Sequence, residues 1–144
     1  MPVIVIGADT EVGRQIVAAL VEPDREVRAF VSDIATAEEF RAAGVKVALG
    51  DVSDPSHVTG ACIRCFSAVL VTEAASDQRE RSFAASPEAV LDGWVEAVRD
   101  AAVQRVIWVG DEFRSVPGAE CAAVPLSEAD IADRVVALDD AASL

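Results

Sequence analysis

Gly7-Ala8-Asp9-Thr10-Glu11-Val12-Gly13 follows a short apolar run, Val3-Ile4-Val5-Ile6, and leads into a segment with Val12, Ile16, Val17 and Leu20 at helical spacing. Twenty residues beyond Gly13 a second apolar run ends at Ser32-Asp33. Strand, glycine-bearing turn, helix and a downstream acidic residue form the context in which a dinucleotide fingerprint acquires meaning. Glycines let the chain turn tightly and approach a pyrophosphate, helix N-terminal amides receive its charge, and the acidic residue accepts hydrogen bonds from a ribose.

This turn departs from the ideal fingerprint. Thr10 stands at the middle glycine position and adds bulk where a phosphate would lie, and Asp9 and Glu11 put carboxylates beside the helix N-terminus. An Asp9 or Thr10 side chain could also cap the helix itself, so self-capping and pyrophosphate binding stand as alternatives for this turn.

The elements that must position these residues alternate regularly. Strands are expected at Val3–Ile6, Val27–Val31, Val45–Leu49, Ala68–Thr72 and Arg105–Val109. Runs such as VIVI and AVLVT lack in/out alternation, as expected of strands covered by helices on both faces. Helical stripes lie between them, among them Leu91, Trp94, Val95 and Val98, and a helix over Thr36–Ala43 is closed by Gly44. Pro55 after Asp54 and Pro87 after Ser86 mark helix starts. The residues from Phe113 to Val124 read as irregular, followed by a turn and helix between Pro125 and Leu138. The expected fold is α/β: a three-layer Rossmann-like domain over residues 1–144 with a five-stranded parallel sheet ordered 3-2-1-4-5, ligands binding at the carboxyl ends of its strands.

Taken together and in order, the motifs resemble the NAD(P)-binding Rossmann proteins of the atypical short-chain dehydrogenase/reductase group, NmrA-like type. The resemblance runs through Gly7, Ala8, Asp9, Thr10 and Gly13, Val27 to Asp33, Gly44 to Val47, Gly50 to Pro55, Ala68 to Thr72 and Val103 to Val109. It implies cofactor contacts at Gly7, Asp9, Thr10, Val12, Gly13, Ser32, Asp33, Asp51, Val52 and Thr72. Gly50-Asp51 would lie beside the adenine, and Thr72-Glu73-Ala74 would face the nicotinamide ribose. Members of the group that use NADP carry an arginine where this chain has Ser32, and Asp33 would repel a phosphate. The expected cofactor is therefore NAD(H), with NADP disfavoured. Asp33 has a second reading as the cap of the next helix.

Reductases of the wider superfamily use a Ser…Tyr-x-x-x-Lys set, in which lysine lowers the tyrosine pKa. This chain has no tyrosine, and its only lysine, Lys46, lies beside the third strand, so that mechanism is excluded. Gly110-Asp111-Glu112 replaces the expected serine, leaving Asp111 and Glu112 as candidate acid/base residues or solvated loop residues. Relatives are longer, and the resemblance implies that their substrate section is missing here. Three functions follow, in order: a non-redox, dinucleotide-responsive or partner-binding module; a small NAD-dependent oxidoreductase or isomerase; and a structural subunit dimerising through the helix of Leu91 to Val98.

Composition sets the remaining bounds. A net charge of −13 with twelve scattered Lys and Arg argues against nucleic acid or an anionic membrane as partner. Apolar runs are too short to span a bilayer and Met1-Pro2 leads straight into the first strand, so a cytoplasmic location is expected. Cys62-Ile63-Arg64-Cys65 could suggest redox chemistry, but it lies at the end of a helix, so packing is the preferred reading. With only Cys121 and His57 besides, no metal site is expected, and His57 reads as a solvated surface residue. Asp139-Asp140 read as a frayed helix end.

Overall fold

The computed structural model describes residues 2–76 and 86–144. Its sheet has six parallel strands ordered β3-β2-β1-β4-β5-β6: β1 Val3–Ile6, β2 Val27–Val31, β3 Lys46–Leu49, β4 Ser67–Val71, β5 Arg105–Val109 and β6 Glu120–Val124. The helices are α1 Glu11–Leu20, α2 Ile34–Ala42, α3 Pro55–Cys62, α4 Pro87–Asp100 and α5 Ile131–Asp140, and Thr72–Ser76 form a 3-10 turn.

The unalternated strands are buried on both faces. Ile4, Ile6, Leu70 and Trp108 pack with Val58, Leu91, Trp94 and Val98 of α3 and α4. Val3, Val5, Val69 and Ile107 pack on the opposite face with Ile16, Val17, Leu20, Phe40, Val135 and Leu138 of α1, α2 and α5. The two helical layers enclose the sheet because successive strand side chains point to opposite faces.

The structure corrects the expected sheet by one strand. Glu-Cys-Ala-Ala-Val has only one β-branched residue, so propensity does not reveal it, and β6 forms by pairing Arg105 to Val109 with Glu120 to Val124. Helix bounds shift as well: α2 begins at Ile34 because Asp33 caps it, and the last helix starts only at Ile131.

The Leu91–Val98 stripe does not present an outward apolar face. Leu91 is 3% exposed and Trp94 and Val98 are fully buried inside this chain, which removes the observation on which dimerisation through that helix rested.

The Asp139-Asp140 expectation is also corrected. Asp139 accepts a hydrogen bond from Arg25 Nε at 3.0 Å, its side chain nearly buried, and Asp140 pairs with another nitrogen of the same guanidinium. Arg105, 1% exposed, then closes the end of α5: its Nη1 donates to the carbonyls of Leu138, Asp139 and Ala141, and its Nε and Nη2 donate to Glu120. Its guanidinium stacks over Phe66, 5.2 Å from the ring centroid.

Candidate dinucleotide site

Strand order reverses between β1 and β4, so a crevice is expected outside their carboxyl ends. Gly7 leaves β1 at φ +84°, a conformation glycine adopts without strain, and an added Cβ would sit 2.9 Å from Ala74 Cβ of the 3-10 turn. The first turn of α1 is pressed closer still: a Cβ on Gly13 would lie 2.1 Å from Gly7 O and 2.8 Å from Thr10 Oγ1.

Thr10 needs no glycine conformation, at φ −76° and ψ 161°. Its hydroxyl donates to Gly7 O at 2.7 Å and accepts from Gly13 N at 3.0 Å, so it is the N-cap of α1. Arg14 N is bonded to Thr10 O. The amides of Glu11 and Val12 have no hydrogen-bond partner among the described residues. The two alternatives posed by the sequence are thus compatible. Self-capping takes one amide and leaves two at the positive end of the helix dipole, a donor set suited to a pyrophosphate.

At the end of β2, Asp33 serves as the N-cap of α2. Its Oδ2 accepts from Thr36 N at 3.0 Å and from Thr36 Oγ1 at 2.8 Å, so of its two readings the structure shows the cap. Asp9 reaches across instead, its Oδ2 accepting from both Ser32 N and Ser32 Oγ at 3.2 Å. Further along the edge, Asp51 Oδ1 accepts from Ser53 N and Oγ, while Asp51 N donates to His57 Nδ1 at 3.0 Å. His57 is therefore part of the β3–α3 loop's frame rather than a merely solvated side chain. Buried Val52 is anchored through its carbonyl by Trp94 Nε1 at 2.8 Å.

On the other side of the switch point, Thr72 Oγ1 donates to Val109 O at 3.2 Å and ties β4 to β5. Gly110, at φ +139°, passes so close that a Cβ would lie 1.9 Å from that hydroxyl. Only glycine fits, and its position directly after an apolar strand was the available sequence signal. Trp108 Nε1 holds the loop that follows through Arg114 O at 2.9 Å. Asp111 and Glu112 are exposed in that loop. The structure thus sets Gly7, Asp9, Thr10, Val12 and Gly13 on the first turn, Ser32 and Asp33 beside it, and Asp51, Val52 and Thr72 along the same sheet edge.

A family model described as NAD(P)H-binding matches residues 7–120, a span that opens on Gly7 and includes all of these positions. This chain belongs to that NAD(P)H-binding family. A curated relative, the NAD(P)H azoreductase of Xenophilus azovorans, is 28% identical over 122 residues, 79% of this chain and 43% of that protein. The chain therefore spans less than half the length of that relative. Among solved structures, the Citrobacter sp. triphenylmethane reductase complexed with NADP(H) matches with a TM-score of 0.65 at 22% identity, over 78% of this chain and 38% of that one. The anaerobillin reductase ChuY of Escherichia coli O157:H7 matches with a TM-score of 0.73 at 16% identity, over 99% of this chain and 92% of that one. These structural likenesses establish the Rossmann-like fold. The last of them shows that this architecture occurs at nearly the same extent in another chain.

The two cysteines of the C-x-x-C belong to the core. Cys62 is fully buried and Cys65 is 5% exposed, and burial pushes the Cys62 thiol up to about 12 and raises that of Cys65. Thiol labelling of the native protein should modify Cys121, which is half-buried, and reach Cys62 and Cys65 only on unfolding; mass spectrometry with and without denaturant checks this. Rapid native labelling of Cys62 would reverse the assignment. Among the described residues no group of three or more His, Cys, Asp or Glu could hold a metal, and no helix is long and apolar enough to cross a membrane.

Proposed function

We propose that this chain binds a reduced nicotinamide dinucleotide across the carboxyl ends of β1 and β4 and serves in an oxidoreductase that reduces a planar, conjugated acceptor. The observation that carries the reading is the first turn of α1: two amides between Gly7 and Gly13 with no partner among the described residues, in a chain of an NAD(P)H-binding family. Glu11 and Val12 amides would hold the pyrophosphate, the Asp9–Ser32 corner would face the adenosine ribose, and the Thr72–Gly110 edge would border the nicotinamide half. The bound cofactor supplies a hydride.

The sequence alone ranked a non-redox module first. Similarity to an azoreductase, a triphenylmethane reductase and an anaerobillin reductase supports its alternative, the oxidoreductase. The acceptors after which these relatives are named are conjugated molecules, which share a useful property. After accepting a hydride such a molecule can take its proton from water, so a chain without tyrosine can still serve the reaction. The protein's part is then to orient the two planar partners and to limit water between them.

Calorimetric titration with NADH and NADPH, followed by cofactor oxidation in the presence of a quinone, an azo dye and a triphenylmethane dye, tests the proposal. Saturable binding and turnover of at least one acceptor are expected. Failure of both dinucleotides at millimolar concentration overturns it, and tight binding without turnover of any acceptor restores the non-redox module.

A further inference from the structure

Asp9 is bound where a ligand group would be expected. It follows the first strand, yet its carboxylate oxygen collects two donors from the end of the second, the amide and the hydroxyl of Ser32, each at 3.2 Å. An amide and a hydroxyl converging on one oxygen are the donors that a phosphate oxygen uses. They lie between the carboxyl ends of β1 and β2, where the fold carries the adenosine ribose and hence its 2′ substituent.

The surroundings reinforce the charge. Asp33 adds a second carboxylate at the next position, committed to Thr36 as the cap of α2. Arg14, which meets this corner through Thr36, offers no ready counter-charge. Its Nη1 pairs with Glu39 at 2.9 Å, its Nη2 donates to Thr36 Oγ1 at 3.1 Å, and its guanidinium lies over Phe40. A 2′-phosphate arriving here would have to displace one carboxylate and sit beside another. A 2′-hydroxyl could instead donate to Asp9.

We propose that Asp9 is the residue that determines cofactor choice: an internal anion occupying the 2′-phosphate position, which selects NADH over NADPH. The inference rests on the proposed dinucleotide site and deepens it. It places the discrimination on the first turn, whereas Ser32 acts as donor to whichever anion is present.

The test is the ratio of dissociation constants for NADPH and NADH, measured at one fixed, low ionic strength for the wild type, Asp9→Ser, Asp9→Asn and Asp33→Asn. The ratio is the readout because a general loss of folding or of dinucleotide affinity weakens both ligands together. The wild type should favour NADH by about tenfold or more, and Asp9→Ser should move the ratio toward NADPH by roughly ten- to a hundredfold, the scale expected for removing one charge near a phosphate. Asp9→Asn, which keeps an acceptor for Ser32 without the charge, should give a change of the same direction. Asp33→Asn should change the ratio less than either. A wild type that prefers NADPH, or an Asp9→Ser ratio equal to that of the wild type while NADH still binds, overturns the inference. Absence of binding of either dinucleotide to the wild type overturns the proposed function itself, so the two failures are distinguishable.

Discussion

Replacing Arg105 with methionine should lower the unfolding temperature by roughly ten degrees. The buried guanidinium donates to three carbonyls at the end of α5 and forks onto Glu120 of β6. Methionine retains much of the stem but no donor, so those carbonyls must stay unsatisfied or the helix end must open to water. A buried acceptor left unpaired costs about 1–3 kcal/mol. Partial opening of the helix end relieves some of this, and a total near 3 kcal/mol corresponds to roughly ten degrees in a domain of this size. Lysine should restore only part of it, because an ammonium cannot reproduce the planar fork. Hydrogen exchange should show the loss first in α5 and β6, with β1 and β4 protected longer. A melting temperature within a degree or two of the wild type would contradict the account.

The same network sets a pH dependence. The hydrogen bond from Arg105, followed by that from Leu144 N, holds the Glu120 carboxyl below its ordinary value. The folded state thus binds protons less readily there than the unfolded chain. The resulting stability is present at neutral pH and is lost as pH falls through the folded-state value. Glu120→Gln should flatten this part of the acid limb of a stability–pH curve.

These long-range contacts explain where the sequence was and was not informative. VIVI, AVLVT and the stripes of α1 and α4 announce their burial locally, because apolar periodicity is itself the consequence of layering. Asp54, Ser86 and Gly44 act at the helix ends where their types place them. β6 was invisible because a chain of small residues becomes an edge strand through its neighbour, not through its own propensity. Asp139 looked frayed because its partner, Arg25, lies 114 residues away. The site divides in the same way. The turn from Gly7 to Gly13 could be read from spacing, whereas Asp9 meeting Ser32 depends on how β1 and β2 align, and His57 framing Asp51 depends on the path of the β3–α3 loop. Two carboxylates at the helix start looked like erosion of a phosphate site. The structure separates them, engaging Asp9 with Ser32 while the Glu11 amide remains open.

Gly13→Ala should cost both stability and cofactor binding. The new Cβ would lie 2.1 Å from Gly7 O, 2.8 Å from Thr10 Oγ1 and 2.9 Å from Ala8 Cα. Two of these atoms are backbone of the turn and cannot rotate away, so α1 must lift from the end of β1. That movement breaks the Thr10 cap and displaces the Glu11 and Val12 amides from the crevice. Overpacking of this kind costs roughly 1–3 kcal/mol or more, and losing hydrogen bonds from the two amides to a charged pyrophosphate, at about 1.5–3 kcal/mol each, weakens binding by about two orders of magnitude. Affinity for NADH should therefore fall about a hundredfold when measured at a temperature where the variant remains folded. Two comparisons separate the causes. Thr10→Ala removes the cap, at about 1 kcal/mol, but leaves the two open amides in place, so it should bind NADH far better than Gly13→Ala. Gly60→Ala in α3 meets nothing within 4 Å and should stabilise the helix by up to about 1 kcal/mol. It therefore checks that added methyl groups are not harmful in general. If Gly13→Ala folds and binds NADH as the wild type does, the turn does not hold the pyrophosphate; if Thr10→Ala loses binding equally, the cap itself, rather than the open amides, sets the geometry of the site.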